Sequence, residues 1–189
     1  MPRKVAVLVG SLRKQSYNRK MAKALVELAA PDLLLEIVEI GDLPLYDEDA
    51  EKAPPPAWVR FRREVSAAQA VLFVTPEYNR SVPGVLKNAI DVGSRPYGQS
   101  VFSRKPAAIV SVSPGAIGGF GANHHLRQSL VFLDMPTLQQ PEAYIRGAAK
   151  LFDDEGRLMN EDTKTFMCKF LAAFSALIEA AAAGAKALA

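Results

Sequence analysis

Short apolar runs recur along this chain, and each is followed by a loop and then by a helical pattern. Residues 5–9, 70–75 and 107–113 are apolar almost from end to end. Strands of that kind are buried on both faces, which is typical of a parallel sheet with helices on either side. The run at residues 33–40 includes two glutamates. It is therefore expected nearer an edge of the sheet.

Helical patterns fill the intervals between these runs. They are predicted at residues 19–30, 57–68, 85–92, 122–133 and 162–182. Pro136 ends the fourth helix, and a short fifth strand is predicted at residues 137–139. Residues 144–154 are predicted to form a small ribbon, with a turn at residues 154–156.

Five strands that alternate with helices indicate an α/β fold. We predict a doubly wound, five-stranded parallel sheet within a three-layer αβα arrangement. Right-handed crossovers, with the second strand at an edge, favour the strand order 2-1-3-4-5. In such sheets, ligands bind beyond the carboxyl ends of the strands, at the switch point between strands 1 and 3. The length of 189 residues predicts one domain, residues 1–189.

Composition and charge exclude several classes of protein. A net charge of +3 with scattered basic residues does not predict binding to nucleic acid. The single cysteine excludes an internal disulfide and a cysteine-based metal cluster. The N-terminus lacks the apolar region of a signal peptide, and no apolar run reaches the roughly 18 residues that a membrane span needs. We therefore expect a cytoplasmic protein without a metal, membrane or nucleic-acid partner.

The loop after the first strand is rich in hydroxyl groups and cations. Gly10 ends the strand, and a helix follows whose N-terminus offers free backbone N–H groups to an anion. Ser11, Ser16 and Asn18 add side-chain donors. Arg13 adds a charged fork of N–H groups. We predict a phosphate site here. The alternative is an ordinary polar loop in which Ser16 or Asn18 caps the helix.

This loop lacks the two common nucleotide-binding motifs. The P-loop pattern Gly-x-x-x-x-Gly-Lys-Ser/Thr is absent, and Gly10 has no partners at the Gly-x-Gly-x-x-Gly spacing. A hydroxyl-rich first loop suits a single terminal phosphate instead. The phosphate of a mononucleotide such as FMN has that character.

Two further loops are predicted at the same edge of the sheet. Prolines stiffen residues 76–84, so their backbone can bond the polar edge of a flat heterocycle at little ordering cost. Tyr78 adds an aromatic wall, and Asn79 adds a donor and an acceptor. The loop at residues 113–121 has four glycines, which let a ring lie against the main chain. Each loop alone could be an ordinary turn, but three at one edge predict a ligand site.

Three segments closely resemble the NADPH-dependent FMN reductases. They are residues 10–19 (Gly-Ser-Leu-Arg-Lys-Gln-Ser-Tyr-Asn-Arg), 75–84 (Thr-Pro-Glu-Tyr-Asn-Arg-Ser-Val-Pro-Gly) and 86–91 (Leu-Lys-Asn-Ala-Ile-Asp). Within that family they look like the quinone and chromate reductase branch, and the resemblance covers residues 4–180. It implies a flavodoxin-like fold, bound FMN, NADPH or NADH as electron donor, and a homodimer or homotetramer.

The resemblance also implies which residues bind FMN. The implied phosphate contacts are Ser11, Arg13, Ser16, Tyr17 and Asn18. The implied isoalloxazine contacts are Pro76, Glu77, Tyr78 and Asn79 in one loop, and Ser113, Pro114 and Gly115 in the other. No side chain is assigned as a catalytic acid or base. The chain departs from the family at Val92-Gly93, where a tryptophan is expected, and its preference among acceptors stays open.

The expected activity is NAD(P)H-dependent reduction of quinones or similar acceptors, such as chromate, azo or nitro compounds, through FMN by a ping-pong mechanism. The alternative is a flavodoxin-like electron carrier without an NAD(P)H site, although such carriers tend to be strongly acidic. A phospho-acceptor domain needs clustered carboxylates at the strand ends, where Glu77 stands alone. A serine hydrolase needs Gly-x-Ser-x-Gly, which is absent.

Overall fold

The computed structural model of the protein describes residues 2–187. Its strands are β1 (Arg3–Val9), β2 (Leu33–Val38), β3 (Ala70–Thr75), β4 (Ala107–Val112) and β5 (Ala143–Ile145). Its α-helices are α1 (Tyr17–Leu28), α2 (Pro56–Ser66), α3 (Gly84–Ser94), α4 (Phe120–Phe132) and α5 (Glu161–Ala187). Two short 3-10 helices span Glu48–Lys52 and Ala148–Lys150.

The five strands form one parallel sheet in the order β2-β1-β3-β4-β5. In the register of the sheet, Val5 of β1 lies opposite Leu35 of β2 and Ala70 of β3, and Phe73 of β3 lies opposite Ile109 of β4. The predicted fold class and strand order are therefore confirmed. The order reverses between β1 and β3, where a ligand site is expected.

Both faces of the sheet are covered, which explains why its central strands are apolar throughout. On β3, Leu72 packs in the cluster that includes Phe170 of α5, on the face covered by α1 and α5. The next residue, Phe73, packs in the opposite cluster with Phe61 of α2, on the face covered by α2, α3 and α4. Successive side chains of a strand point to opposite faces, so each layer of helices takes alternate residues.

The second strand lies at the edge, as predicted. Leu33 and Leu35 are buried, whereas Leu34 and Glu36 between and after them are exposed. Glu36 forms an ion pair with Lys4 of the neighbouring strand, with 2.6 Å between Oε2 and Nζ. Charged side chains on an edge strand oppose pairing with another sheet.

The fifth strand is not at residues 137–139, and that prediction is wrong. Thr137 forms only an isolated parallel bridge with Ala107, and the Leu138 N–H donates to the Ala107 carbonyl at 2.8 Å. The chain then leaves the sheet and returns at Ala143, which pairs with Val110. Of residues 137–139, only Leu138 is buried, whereas β5 buries both of its end residues in the core.

The predicted ribbon is replaced by β5 and a small hairpin. Phe152 and Leu158 form an antiparallel bridge, and the turn between them includes Gly156 with φ +86°. The ring of Phe152 stacks on Tyr17 at the start of α1, with 6.4 Å between centroids and 15° between planes. This hairpin therefore supports the helix that follows the first loop.

The last helix supplies much of the core on its side of the sheet. Met167, Phe170 and Phe174 are almost fully buried against the strands. Within residues 2–187, α5 is also the one helix long and apolar enough to cross a membrane by length and composition alone. The sequence was expected to contain no such run. Because the core helix of a globular protein passes the same test, this finding is weak evidence for a membrane span.

Candidate functional site

The loops after β1, β3 and β4 meet at the carboxyl edge of the sheet, as predicted. The Gly10 N–H donates to the Val74 carbonyl at 2.9 Å, and a Cβ placed on Gly10 would lie 3.0 Å from Thr75 Oγ1. The Asn18 side-chain nitrogen Nδ2 donates to the Val112 carbonyl at the end of β4, at 3.3 Å. The first loop is thus tied to the end of β3 through Gly10, and the start of α1 is tied to the end of β4 through Asn18.

Ser16 caps α1, as the alternative interpretation of this loop expects, and the cap leaves the predicted phosphate site possible. Its hydroxyl oxygen accepts from the Arg19 N–H at 3.2 Å, and its own N–H donates to the Arg13 carbonyl at 3.1 Å. Asn18 is not the cap, because it lies within the first helical turn. The N–H groups of Tyr17 and Asn18 have no intrahelical acceptor at these positions, and they can serve an anion.

The Asn18 side chain is buried, and one of the two N–H groups of its amide donates to the Val112 carbonyl. Among the described residues, the buried Asn18 oxygen Oδ1 has no hydrogen-bond donor. A buried acceptor without a donor is costly. A ligand with hydroxyl groups, such as FMN with its ribityl chain, would supply the missing donor.

The remaining predicted phosphate contacts differ in their exposure and in the partners of their side chains. Ser11 is buried beneath the loop, and Arg13 is exposed. Across residues 2–187, no carboxylate lies within ion-pair distance of Arg13, so its charge is available to an anion. Tyr17 is half-buried, stacks on Phe152 and has the Lys20 ammonium 6.0 Å from its ring centroid. These groups fit the phosphate end of FMN.

A tight turn forms the tip of the loop after β3. The Tyr78 N–H donates to the Ser81 carbonyl at 3.1 Å, and the Ser81 N–H donates to the Tyr78 carbonyl at 3.0 Å. Asn79 and Arg80 between them have φ of +51° and +64°, which makes this a type I′ turn. Left-handed conformations are unfavourable for residues other than glycine, and they recur at ligand sites. The prolines of this loop predicted a stiff backbone, but they did not indicate the tight turn.

The Glu77 side chain caps α4. Its Oε2 accepts from the Ala122 N–H at 3.1 Å, and its Oε1 accepts from Arg80 at 2.8 Å. Only 10% of this side chain is exposed. The backbone of Glu77 therefore remains available to a ligand, while its carboxylate joins the loop after β3 to the helix after β4. Nothing in the spacing of the sequence signals this contact.

The loop after β4 needs its glycines mainly for its own packing. Gly118 and Gly119 have φ of +60° and +78°, and a Cβ on Gly118 would lie 2.7 Å from the Tyr144 carbonyl carbon. Gly115 is different, because its Cβ would meet only the Ser113 hydroxyl, at 3.4 Å. The Ser113 hydroxyl oxygen accepts from the Gly115 N–H at 3.1 Å. Pro114 and Gly115 are exposed, which suits a surface that contacts a ring.

An aromatic cluster lies next to this loop. His124 Nε2 lies 2.8 Å from the Tyr144 hydroxyl, and the Phe120 ring lies 4.2 Å from the His124 ring between centroids. Burial, together with hydrogen bonding to Glu142, raises the pKa of Tyr144 to about 12. The phenol is therefore neutral at ordinary pH.

Within the motif at residues 86–91, Asn88 has a structural role. Its buried amide accepts from the Tyr46 N–H at 2.8 Å and donates to the carbonyls of Leu43 and Pro44 at 3.2 and 3.1 Å. Asn88 thus fixes the loop after β2 on α3. The sequence marked this motif without indicating its contact.

The departure at Val92-Gly93 also has a packing explanation. A Cβ on Gly93 would lie 2.7 Å from Phe102 Cζ and 3.2 Å from Phe61 Cε1. Phe102 is fully buried and packs against Phe73, with 6.5 Å between ring centroids. Phe102 fills the space beside α3, so this position has no room for a larger residue.

Comparisons with known proteins identify the family of the chain. The family model for NADPH-dependent FMN reductases matches residues 3–150. A quinone reductase of Pseudomonas putida is 69% identical over 176 residues, which cover 93% of this chain and 94% of that protein. A 2-hydroxy-1,4-benzoquinone reductase of a Burkholderia species is 44% identical and covers 94% of this chain and 97% of its own length.

A solved structure is also similar over nearly the whole chain. It is FerB, a flavoenzyme NAD(P)H:(acceptor) oxidoreductase from Paracoccus denitrificans, with a TM-score of 0.88 and 42% identity. The match covers 94% of this chain and 97% of the FerB chain. The family match at residues 3–150 includes all three loops at the carboxyl edge of the sheet.

Proposed function

Because the chain belongs to the NADPH-dependent FMN reductase family, we propose that it is an NAD(P)H-dependent quinone reductase that works through FMN. The observation that carries this proposal is the meeting of the loops after β1, β3 and β4 at one open edge. Relatives named quinone reductase and 2-hydroxy-1,4-benzoquinone reductase support a quinone as the acceptor.

The first loop would hold the phosphate end of FMN. Arg13 supplies an unpaired positive charge, and the start of α1 supplies free N–H groups. The buried Asn18 oxygen would accept from a hydroxyl of the ribityl chain. The proposed contacts of the phosphate and ribityl groups are Ser11, Arg13, Ser16, Tyr17 and Asn18.

The other two loops would hold the isoalloxazine ring. Their contribution is mainly backbone, because Glu77 and Ser113 use their side chains within the protein. FMN supplies the electron-transfer chemistry, and the chain binds it and orients its reactive face. Backbone N–H groups directed at the ring can stabilise negative charge on it. The proposed ring contacts are Pro76, Glu77, Tyr78, Asn79, Ser113, Pro114 and Gly115.

The single open edge at the three loops supports a mechanism in which the two substrates bind alternately. We propose that NAD(P)H and the acceptor bind in turn at the same face, which gives ping-pong kinetics. Tyr78 is 47% exposed beside this face and can contact a flat acceptor. The same opening would admit chromate, azo and nitro compounds. A cytoplasmic location would give access to NAD(P)H.

The outer face of α4 supports assembly into a homodimer or homotetramer. Val131 and Phe132, near the end of this helix, are 78% and 76% exposed. Phe132 also lines a cavity of about 300 Å³ with Ile90 and Leu133, between α3 and α4. Large apolar side chains that are exposed next to one another, such as Val131 and Phe132, are typical of an interface between proteins.

An anaerobic spectral titration tests the proposed function. The purified protein, loaded with FMN, should lose flavin absorbance on addition of NADPH or NADH and regain it on addition of 1,4-benzoquinone. A flavin that neither nucleotide can reduce would indicate the electron carrier instead. Failure to bind FMN would contradict the proposed role of all three loops.

A further inference from the structure

A histidine outside the proposed FMN contacts is bonded to the turn at residues 78–81. The hydroxyl oxygen of Ser81 lies 2.7 Å from Nδ1 of His125, which lies in α4. Ser81 is half-buried and His125 is exposed. A serine hydroxyl both donates and accepts, so this hydrogen bond is compatible with either tautomer of the histidine.

The conformation of this turn requires support from its surroundings. Asn79 and Arg80 both have positive φ, a conformation that costs energy for residues other than glycine. Within the turn, only the two backbone hydrogen bonds between Tyr78 and Ser81 oppose that cost. The turn also presents Tyr78 at the edge where the ring of FMN is proposed to lie.

Helix α4 supplies the support through three contacts on its first two turns. Glu77 accepts from the Ala122 N–H, and His125 bonds Ser81. Gly121 lies so close that a Cβ there would be 3.0 Å from Glu77 Oε2 and 3.2 Å from the Arg80 carbonyl oxygen. Gly121 and His125 are four residues apart and therefore lie on the same face of the helix.

We propose that His125 is a positioning residue for the flavin site, which holds the turn at residues 78–81 against α4 through the Ser81 hydroxyl. The bond fixes the far end of the turn, while Glu77 fixes the near end. The proposal rests on the proposed function only for the identity of the ligand. The attachment of the turn to α4 is a property of the chain itself.

Matched substitutions separate this role from a general effect on stability. His125→Ala and Ser81→Ala each remove one partner, and the double variant removes both. His125→Asn places an amide near the position of Nδ1 and serves as the conservative variant. His124→Ala removes the neighbouring histidine, which bonds Tyr144 and not the turn, and serves as the control.

Two measurements are made on each variant. Fluorescence titration gives the dissociation constant for FMN, and hydrogen exchange gives the protection of the Tyr78 and Ser81 amides before FMN is added. We expect each single Ala substitution at residue 81 or 125 to weaken FMN binding and reduce amide protection by about five-fold, the effect of one net hydrogen bond. The double variant should match the single variants, and His125→Asn should recover most of the loss.

Two outcomes would overturn the proposal. Additive effects of the two substitutions would show that His125 and Ser81 act separately. An equal effect of His124→Ala would show a general disturbance of α4. If the unsubstituted protein does not bind FMN, the proposed function fails by itself, and amide protection still decides whether His125 holds the turn.

Discussion

The carboxylate of Glu77 accepts a hydrogen bond from the Ala122 N–H at 3.1 Å, so a residue after β3 caps the helix that follows β4. This contact joins two loops that are 45 residues apart in sequence. It makes the position of the proposed flavin-binding turn depend on α4.

Substitution of Glu77 should therefore destabilise the protein in proportion to the acceptor that is lost. Glu77→Ala should lower the free energy of unfolding by about 1 kcal/mol, as for other lost helix caps. Glu77→Gln keeps an oxygen acceptor for Ala122 and should cost less. Urea unfolding of the two variants measures the difference, and equal losses would contradict the capping role.

Two substitutions in the first loop should distinguish helix capping from phosphate binding. Ser16→Ala should lower the unfolding free energy of the FMN-free protein by about 1 kcal/mol, because the Arg19 N–H loses its acceptor. Arg13→Ala should leave stability within about 0.5 kcal/mol, because the side chain is exposed.

Arg13→Ala should affect FMN affinity more than it affects stability. Arg13→Ala removes a charged donor and should weaken FMN binding at least about ten-fold, the effect of a hydrogen bond to a charged group. Equilibrium titration at two salt concentrations checks this expectation, since an ionic contact weakens with salt. An unchanged affinity would remove Arg13 from the phosphate site.

Two glycines of the loop after β4 should respond in opposite ways to alanine. Gly118→Ala requires a positive φ and brings a Cβ against the β5 backbone, so we expect a loss of more than about 2 kcal/mol in unfolding free energy. Gly115→Ala meets only an ordinary contact and should unfold like the parent protein. Its FMN affinity should fall, since the methyl group would lie on the exposed surface proposed to contact the ring.

Acid should weaken the link between α1 and the end of β2. The hydrogen bond from Arg19 holds the pKa of Glu39 below its ordinary value, against the opposing effect of partial burial. The resulting stability is fully present above the unfolded pKa of about 4.3 and is lost as pH falls through the lower folded pKa. For this partly exposed pair, we expect about 0.5 kcal/mol.

Comparison of the parent protein with Glu39→Gln tests this dependence. The variant should be less stable at pH 7 and should approach the parent as the pH falls below the ordinary glutamate pKa of about 4.3 and through the lower folded pKa of Glu39. Urea midpoints across that range supply the measurement. A constant difference between the two proteins at every pH would contradict the ion pair as its cause.

The apolar end of α4 should control assembly. Phe132→Glu places a charge in the exposed patch and should shift the protein toward the monomer, as measured by light scattering after size-exclusion chromatography. Ala180→Glu, which adds the same charge to an exposed position of α5 on the opposite side of the sheet, serves as the control. A parent protein that is itself monomeric would contradict the proposed interface.

The fold followed from the sequence where burial determines residue type. The runs that became β1, β3 and β4 are apolar because helices cover both faces, and the two glutamates near β2 reflect its edge position. The fifth strand was missed because three residues at an edge carry little pattern. Ala143–Ile145 resembles a loop until its pairing with β4 is known.

The meeting of the three loops at one edge was predictable from the sequence, but their contacts were predictable only in part. Hydroxyl-rich and glycine-rich segments marked these loops, because local composition reflects the conformation that the backbone must adopt. The Glu77 cap and the Ser81–His125 bond depend on residues more than 40 positions apart, which spacing cannot reveal.

The family match ends at residue 150, yet the folded unit does not. Phe152 stacks on Tyr17 beside the first loop, and α5 closes one side of the sheet with Met167, Phe170 and Phe174. A fragment cut to the matched residues would expose that apolar layer to water and leave the helix of the proposed phosphate site without its aromatic neighbour. A minimal flavin-binding fragment of this chain should therefore end beyond Ile178, which is buried in the same layer.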